Sequence, residues 1–321
     1  MDASYESLVS SLPPGLRPQA RGLPHRLGMA RSPDSGWQEV ISLHPNRELP
    51  LYAAELGGGR ARAPDQVLPF VRAHHYGGFA WLLRDRIADG QLAADGSLIE
   101  LGRVLADRWQ RSLVEASGDA GLARWTVDAV TARWTRAVSG ERRVLAAGGV
   151  RPAVYAALVR DKLRWIAAPS VCLLLGGGPL DEPEARARQD RARAFQRAYD
   201  LFLLGLQAID DVNDAEEDRG LYGRDVAGAL GCSAGALLRI APKLCRRASA
   251  VAAGAGFSRL AFWLGAFGRA IAPLNREGDQ LGDELDAIAI AGEMEQLAEE
   301  DADGEDLPPA APPWLAPPVY R

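Results

Sequence analysis

Three aspartates, Asp210, Asp214 and Asp218, recur at four-residue spacing in the segment LFLLGLQAIDDVNDAEEDRG. Four residues of an α-helix turn about 40° past a full turn, so the three carboxylates share an arc of about 80°. Gln207 and Glu217 project toward the same arc. Crowded carboxylates repel one another unless a divalent cation binds them, and oxygen ligands suit Mg²⁺. The pattern predicts a magnesium site at the end of a buried helix. The alternative is a helix end that frays into a solvated acidic loop.

A second acid pair, Asp85 and Asp89, ends the segment FVRAHHYGGFAWLLRDRIADG with the same spacing. The alternative here is an exposed pair neutralised by Arg84 and Arg86. If the pair binds metal, the same helix face would form the wall of an apolar pocket beneath it. Read back toward the helix start, that face carries Trp81, Gly78 and His74.

These acids must be positioned by helices, because a helical pattern runs almost without interruption from about residue 67. Nothing in the chain alternates like a series of strands. We predict an irregular N-terminal arm over 1–64 with one short helix, a helical domain over 65–299, and a disordered acidic, Pro-rich tail over 300–321. Pro169 should kink or split the fourth of the predicted helices. These are 66–89, 97–117, 119–146, 152–175, 183–219, 226–251, 257–275 and 278–299.

Composition excludes several classes of function. The net charge of -5 and the pI of about 5.5 argue against nucleic acid as a partner. Three scattered cysteines without metal-ligand spacing argue against a zinc site or a disulfide framework, and favour a reducing compartment. There is no signal-peptide pattern and no apolar run of the ~18 residues that a membrane span requires. We therefore expect a cytoplasmic protein without stable membrane insertion.

The second acid motif resembles those of the class I isoprenoid synthases, which include trans-prenyltransferases, squalene/phytoene synthases and terpene cyclases. QAIDDVND is similar to the Q-x-x-D-D-x-x-D motif of trans-prenyltransferases, with Asp210, Asp211 and Asp214 on its acids. The spacing through Asp218 also resembles the N-xxx-S/T-xxx-E triad of terpene cyclases.

The first acid motif is a partial match to the same family. Asp85 and Asp89 occupy the outer positions of D-D-x-x-D, and Arg86 stands where the second Asp belongs. The resulting D-xxx-D pattern is closer to the squalene/phytoene branch. Arg86 would remove one metal ligand and could add a direct contact to phosphate.

This resemblance implies an all-α, isoprenoid-synthase-like helical bundle around a central apolar cavity. Three Mg²⁺ ions would link the two acid clusters to the diphosphate of an allylic prenyl substrate, which ionises to a carbocation. The implied metal ligands are Asp85, Asp89, Asp210, Asp211, Asp214 and Asp218, of which Asp85, Asp89, Asp210 and Asp214 would be essential for catalysis. The implied diphosphate-binding residues are Lys162, Arg86, Arg219 and Arg224, and the implied cavity residues are Trp81, Gly78, His74, Trp165 and Gln207.

The ordinary alternative for each of these cations is a solvent-exposed side chain, and for each Trp it is core packing. Lys162 lies in the region where trans-prenyltransferases place the lysine of K-T-x-x-L. A Trp face can also stabilise a carbocation.

Three functions are compatible with these motifs. The first is a terpene synthase that cyclises its substrate or quenches the cation with water. The second is a condensing prenyltransferase, for which GGGRARAP at 57–64 resembles the G-G-K-x-x-R-P motif. That segment lacks the Lys, and Pro64 lies too near Asp85 for the intervening helices, so we interpret the match as fortuitous. The third is a catalytically inactive partner subunit, suggested by Arg86. Family members are often dimers, so a homodimer is one expectation.

Overall fold

The computed structural model describes residues 1–55, 62–176, 182–272 and 280–300. Within these ranges the backbone forms sixteen α-helices and one 3-10 turn, with no strand, which confirms the prediction of an all-α fold. The main helices are α6 (Pro64–Ala88), α7 (Gly96–Ser117), α8 (Ala120–Ala147), α9 (Pro152–Leu163), α10 (Ala168–Leu175), α11 (Glu182–Asn213), α12 (Ala215–Tyr222), α13 (Val226–Leu230), α14 (Ala234–Gly254), α15 (Ser258–Ile271) and α16 (Gln280–Glu300).

The prediction of an irregular N-terminal arm with one short helix is wrong for the described part of that segment. It forms five helices: α1 (Asp2–Ser11), α2 (Arg17–Ala20), α3 (Leu23–Arg26), α4 (Trp37–Val40) and α5 (His44–Ala53). Three prolines of this segment, Pro18, Pro24 and Pro45, lie in the first turns of α2, α3 and α5, where proline is well tolerated. Tyr5 and Trp37 pack on Phe79 of α6 at ring-centroid distances of 4.7 and 4.9 Å, so the segment joins the core.

Helices α6 and α7 approach each other closely at Gly77. A Cβ atom added to Gly77 would lie 2.8 Å from Nε1 of Trp109, closer than side-chain atoms normally pack. The absence of a side chain therefore allows Trp109, which is fully buried, to reach the backbone of α6. This contact fixes α6, the helix that carries Asp85 and Asp89.

Two predicted helices are interrupted near the site. Helix 152–175 is divided by a 3-10 turn over Arg164–Ile166, and Pro169 lies in the first turn of α10, which confirms the predicted split. Helix 183–219 ends at Asn213, and α12 begins after Asp214. Backbone bonds from Asp214 N to Asp210 O and from Asp218 N to Asp214 O still span the break. The interruption is therefore small, and the acids stay in helical register.

A third predicted helix, 226–251, is divided into α13 and α14 by Gly231, which has φ +71°, and by Ser233, which caps α14. None of the helices in the described ranges is both long enough and apolar enough to cross a membrane. Residues 57–61 of GGGRARAP and the tail from 301 to 321 lie outside the described residues.

Candidate functional site

Lys162 of α9 lies among three carboxylates. Its Nζ donates to Oδ2 of Asp89 at 3.2 Å and to Oε2 of Glu141 at 3.0 Å, and it lies 3.9 Å from Oδ1 of Asp85. Burial alone would lower the pKa of the Lys162 ammonium, but the charges of Glu141, Asp85 and Asp89 outweigh burial and raise that pKa above its ordinary value. The Lys162 side chain is 14% exposed, so solvent screens these contacts only in part.

Burial raises the pKa of Asp85 to about 6 even with Lys162 beside it. The neighbouring charges of Asp89 and Glu141 add to this effect, while the ammonium and the indole N–H of Trp134 oppose it. Nε1 of Trp134 donates to Oδ1 of Asp85 at 3.3 Å. Asp85 is therefore a desolvated acid that gains from any nearby cation.

Helix α9 also contacts the second acid motif, through Tyr155. Tyr155 and Lys162 are seven residues apart, which puts them on one face of the helix. The hydroxyl of Tyr155 donates to Oδ2 of Asp211, and Nε2 of Gln207 donates to Oδ1 of the same carboxylate at 2.7 Å. Burial raises the pKa of Asp211 to about 7, although both hydrogen bonds lower it. Helix α9 thus connects the two acid motifs.

Charged residues at the first motif shift the pKa values of Asp210 and Asp218 in the second motif. Burial and the charge of Asp214 raise the pKa of Asp210, whereas the cations Arg86 and Lys162 lower it. The pKa of Asp218 is raised to about 6 by burial first, then by Asp214 and by Glu141. The two clusters therefore form one electrostatic site.

A chain of hydrogen bonds connects the ends of the two acid-bearing helices directly. Nη1 of Arg86 donates to Oε1 of Gln91 at 2.7 Å, and Nε2 of Gln91 donates to Oε1 of Glu217 at 3.1 Å. Arg86 thus bonds to an amide in this structure. Arg84 stacks on aromatic rings, so the predicted alternative, in which these two arginines neutralise Asp85 and Asp89, differs from what the structure shows.

The two arginines after the second motif differ in their contacts. Arg219 forms an ion pair with Asp225, the residue that caps α13. The guanidinium of Arg224 packs against Gly148, at the end of α8, and has no ion pair among the described residues. The charge of Arg219 is thus balanced by a nearby carboxylate, whereas no ion pair within the described residues balances the charge of Arg224.

The predicted cavity residues are placed in different surroundings. Trp81 lines a cavity of about 370 Å³ between α6, α7 and α8. The other predicted cavity residues do not line it: Gly78, His74, Trp165 and Gln207. Gly78 faces Met1, whose Cε would lie 3.5 Å from a Cβ added there. The ring nitrogens of His74 lie 3.0 Å from the Ile166 carbonyl and 2.7 Å from that of Asn46.

Gly78 and His74 therefore contact segments that pack on α6, and their role in a substrate cavity stays a prediction. Burial lowers the pKa of His74, while the hydrogen bonds to the carbonyls of Asn46 and Ile166 oppose that shift. Trp165 is buried in the core, and Gln207 binds Asp211.

Sequence reasoning missed Glu141 and Tyr155. Glu141 stands in SGERR, between Gly140 and two arginines, and has the appearance of an exposed charge on α8. Tyr155 stands in an apolar stretch and has the appearance of a core residue. The available signal for Tyr155 was its seven-residue spacing from Lys162, which predicts a shared helix face.

The donor chemistry of the site fits Mg²⁺, because all of the candidate ligands are carboxylate oxygens. Among the described residues, however, no set of three or more His, Cys, Asp or Glu side chains is arranged to hold a metal ion. The Lys162 ammonium lies instead where Asp85, Asp89 and Glu141 converge. The residue types therefore suit Mg²⁺, but in this structure the Lys162 ammonium lies at the centre of the three carboxylates.

No family model matches this chain, and no curated protein matches it. The structure is similar to a crystal structure of polyprenyl synthetase from Streptomyces coelicolor A3(2), with a TM-score of 0.49 and 18% sequence identity. The match covers 95% of this chain and 90% of that chain.

Proposed function

We propose that this chain is a Mg²⁺-dependent class I terpene synthase that ionises a linear allylic prenyl diphosphate. One observation carries the proposal: α9 presents Lys162 to Asp85 and Asp89 of one acid motif and Tyr155 to Asp211 of the other. A site for an anionic group between two acid clusters needs cations at its centre. Here one cation is the partly buried Lys162, and the carboxylates would bind Mg²⁺ ions as the others.

Two groups of carboxylates would hold the metal ions. Asp85, Asp89 and Glu141 form the first, and the second consists of Asp210, Asp214 and Asp218. When bound, Mg²⁺ neutralises diphosphate charge and stabilises that group as it leaves.

The chain's own residues bind and orient the substrate. Lys162 supplies a compact ammonium with three donors, which suits phosphate oxygens as well as carboxylates. Arg224, which has no ion pair in the described structure, adds a second cation near the second motif. Tyr155 and Gln207 hold the carboxylate of Asp211 in one orientation, and the bond from Tyr155 connects α9 to α11.

The test is incubation of the purified protein with Mg²⁺ and geranyl, farnesyl or geranylgeranyl diphosphate, each with and without isopentenyl diphosphate. We expect pyrophosphate release and a hydrocarbon or alcohol product by mass spectrometry, with no dependence on isopentenyl diphosphate. Chain lengthening would favour the prenyltransferase alternative. Absence of pyrophosphate release from all three substrates would favour the inactive subunit.

Site variants make this test specific. Asp210→Asn and Asp214→Asn should abolish turnover while the helical circular dichroism stays near that of the wild type, because the crowded carboxylates contribute little to folding without metal. Asp128→Asn, at an exposed position of α8, is the matched control and should retain activity. Near-normal turnover in either site variant would overturn the assignment of the second motif.

A further inference from the structure

The cavity that Trp81 lines has an apolar wall built by helical spacing. Leu98, Gly102 and Ala106 recur every fourth residue of α7 and share one face, opposite Trp81 of α6. The cavity volume of about 370 Å³ lies within the range of small-molecule sites, ~300–1,000 Å³. Apart from Arg84, Arg103 and Thr131, every lining residue is apolar.

Arg84 is the distinctive polar group of this cavity. Its guanidinium carbon lies 5.0 Å from the ring centroid of Trp81 and 4.5 Å from that of Trp134. Its side chain stays accessible to solvent, and burial against these rings lowers its pKa. Within the described residues it has neither an ion pair nor a hydrogen bond. Stacking occupies the faces of a guanidinium and leaves its N–H edges free to donate.

Arg103, on the opposite rim, shows the contrasting arrangement. Its guanidinium lies 2.7 Å from Oε1 of Glu100 and 3.2 Å from Oδ2 of Asp107, both on α7. Its charge is therefore balanced within its own helix. The cavity has one rim arginine that is neutralised and one that is not.

We propose that this cavity binds a monocarboxylate with a linear apolar chain, with the carboxylate on Arg84 and the chain against Trp81, Leu98 and Gly102. The guanidinium edge matches a carboxylate in a bidentate geometry. One unpaired cation balances one negative charge, whereas a diphosphate needs several cations. Asp85, Asp89, Glu141 and Lys162 do not line this cavity, although Trp134 contacts both Arg84 and Asp85. The inference does not depend on the proposed terpene synthase activity.

The experiment is isothermal titration calorimetry of the full chain with decanoate in EDTA, which removes any metal-dependent binding. Decyltrimethylammonium, with the same chain and the opposite head charge, is the ligand control. Four proteins are compared: wild type, Arg84→Gln, Gly102→Leu and Arg103→Gln. A Cβ atom at Gly102 would meet only Cδ2 of Leu83, at 3.8 Å, so the helix accommodates a side chain that fills the cavity.

We expect the wild type to bind one decanoate, and Arg84→Gln to weaken binding about tenfold or more, because a charge-assisted hydrogen bond is lost. Gly102→Leu should remove binding, and Arg103→Gln should leave the affinity within about twofold of the wild type. Circular dichroism checks the fold of each variant. Three results would overturn the proposal: no binding by the wild type, equal affinity in Arg84→Gln, or equal affinity for decyltrimethylammonium. Tighter binding of farnesyl monophosphate than of decanoate would overturn the carboxylate assignment.

Discussion

Lys162 and Glu141 meet at 3.0 Å, so the cation of α9 is held by an acid of α8 in addition to those of α6. The same ammonium lies within 4 Å of Asp85 and Asp89. It thus acts as the internal counter-charge of the first motif when no metal is bound.

Replacing Lys162 by Met should destabilise the metal-free protein by roughly 3 kcal/mol, because three partly buried carboxylates lose their common cation. Mg²⁺ should then raise the melting temperature more in Lys162→Met than in the wild type, since metal binding adds stability by mass action. Differential scanning fluorimetry in EDTA and in MgCl₂ measures both effects. Lys243→Met, which breaks the ion pair with Glu284, is the control and should show no enhanced response to Mg²⁺. An identical Mg²⁺ response in both variants would contradict the counter-charge role.

Glu141→Gln should lower the affinity for Mn²⁺ in the presence of inorganic diphosphate by about tenfold, which corresponds to about 1.4 kcal/mol. The reason is that the variant loses one carboxylate of the first cluster and leaves the Lys162 charge less compensated. Electron paramagnetic resonance of Mn²⁺ measures free and bound ion directly. Glu115→Gln, on the exposed side of α7, provides the comparison. If both variants bind Mn²⁺ like the wild type, Glu141 has no part in metal binding.

A single methyl group added at either of two neighbouring glycines of α6 should have different effects on the free energy of unfolding. Gly77→Ala places a Cβ 2.8 Å from Nε1 of Trp109 and should cost about 1–3 kcal/mol of unfolding free energy. Gly78→Ala meets only Met1, at 3.5 Å, and should be neutral or stabilising by up to about 1 kcal/mol, because alanine favours the helix. Urea denaturation separates the two. Equal effects would mean that α6 and α7 pack differently.

Buried His75 predicts a loss of stability in acid. Burial is the main cause that lowers its pKa from 6.5 to about 3 in the folded protein. The neutral ring therefore contributes stability that is complete above pH 6.5 and is lost as the pH falls, since the unfolded chain takes up a proton first. At pH 5 the loss is about 2 kcal/mol relative to pH 7.5.

His75→Gln should remove that part of the acid sensitivity, although it costs stability at pH 7.5 by disturbing contacts to Ser4 and the Arg47 carbonyl. The relevant measurement is the change in unfolding free energy between pH 7.5 and pH 5 for each protein. His25→Gln, at an exposed position, should keep the wild-type change. A His75→Gln profile parallel to that of the wild type would exclude His75 as the source.

The helices and the acid motifs were predictable because they depend on local periodicity. The regular spacing of Asp210, Asp214 and Asp218 is visible without any knowledge of tertiary contacts. Glu141 was not predictable, because its role comes from the crossing of α8 and α9, which local sequence does not encode. Three of the five N-terminal helices, α2, α3 and α5, were missed because a proline lies in the first turn of each, where the same residue type also indicates a loop. The oligomeric state, cytoplasmic location and domain boundaries stay predictions.

The hydrogen bond between Gln91 and Glu217 has a consequence for behaviour in concentrated salt. Ions screen attraction between opposite charges at the protein surface, and at 1 M the screening distance is only about 3 Å. The Gln91 amide carries no net charge, so this contact between the ends of α6 and α12 is far less sensitive to screening. This hydrogen bond should therefore persist at ionic strengths that weaken the exposed ion pairs elsewhere on the molecule.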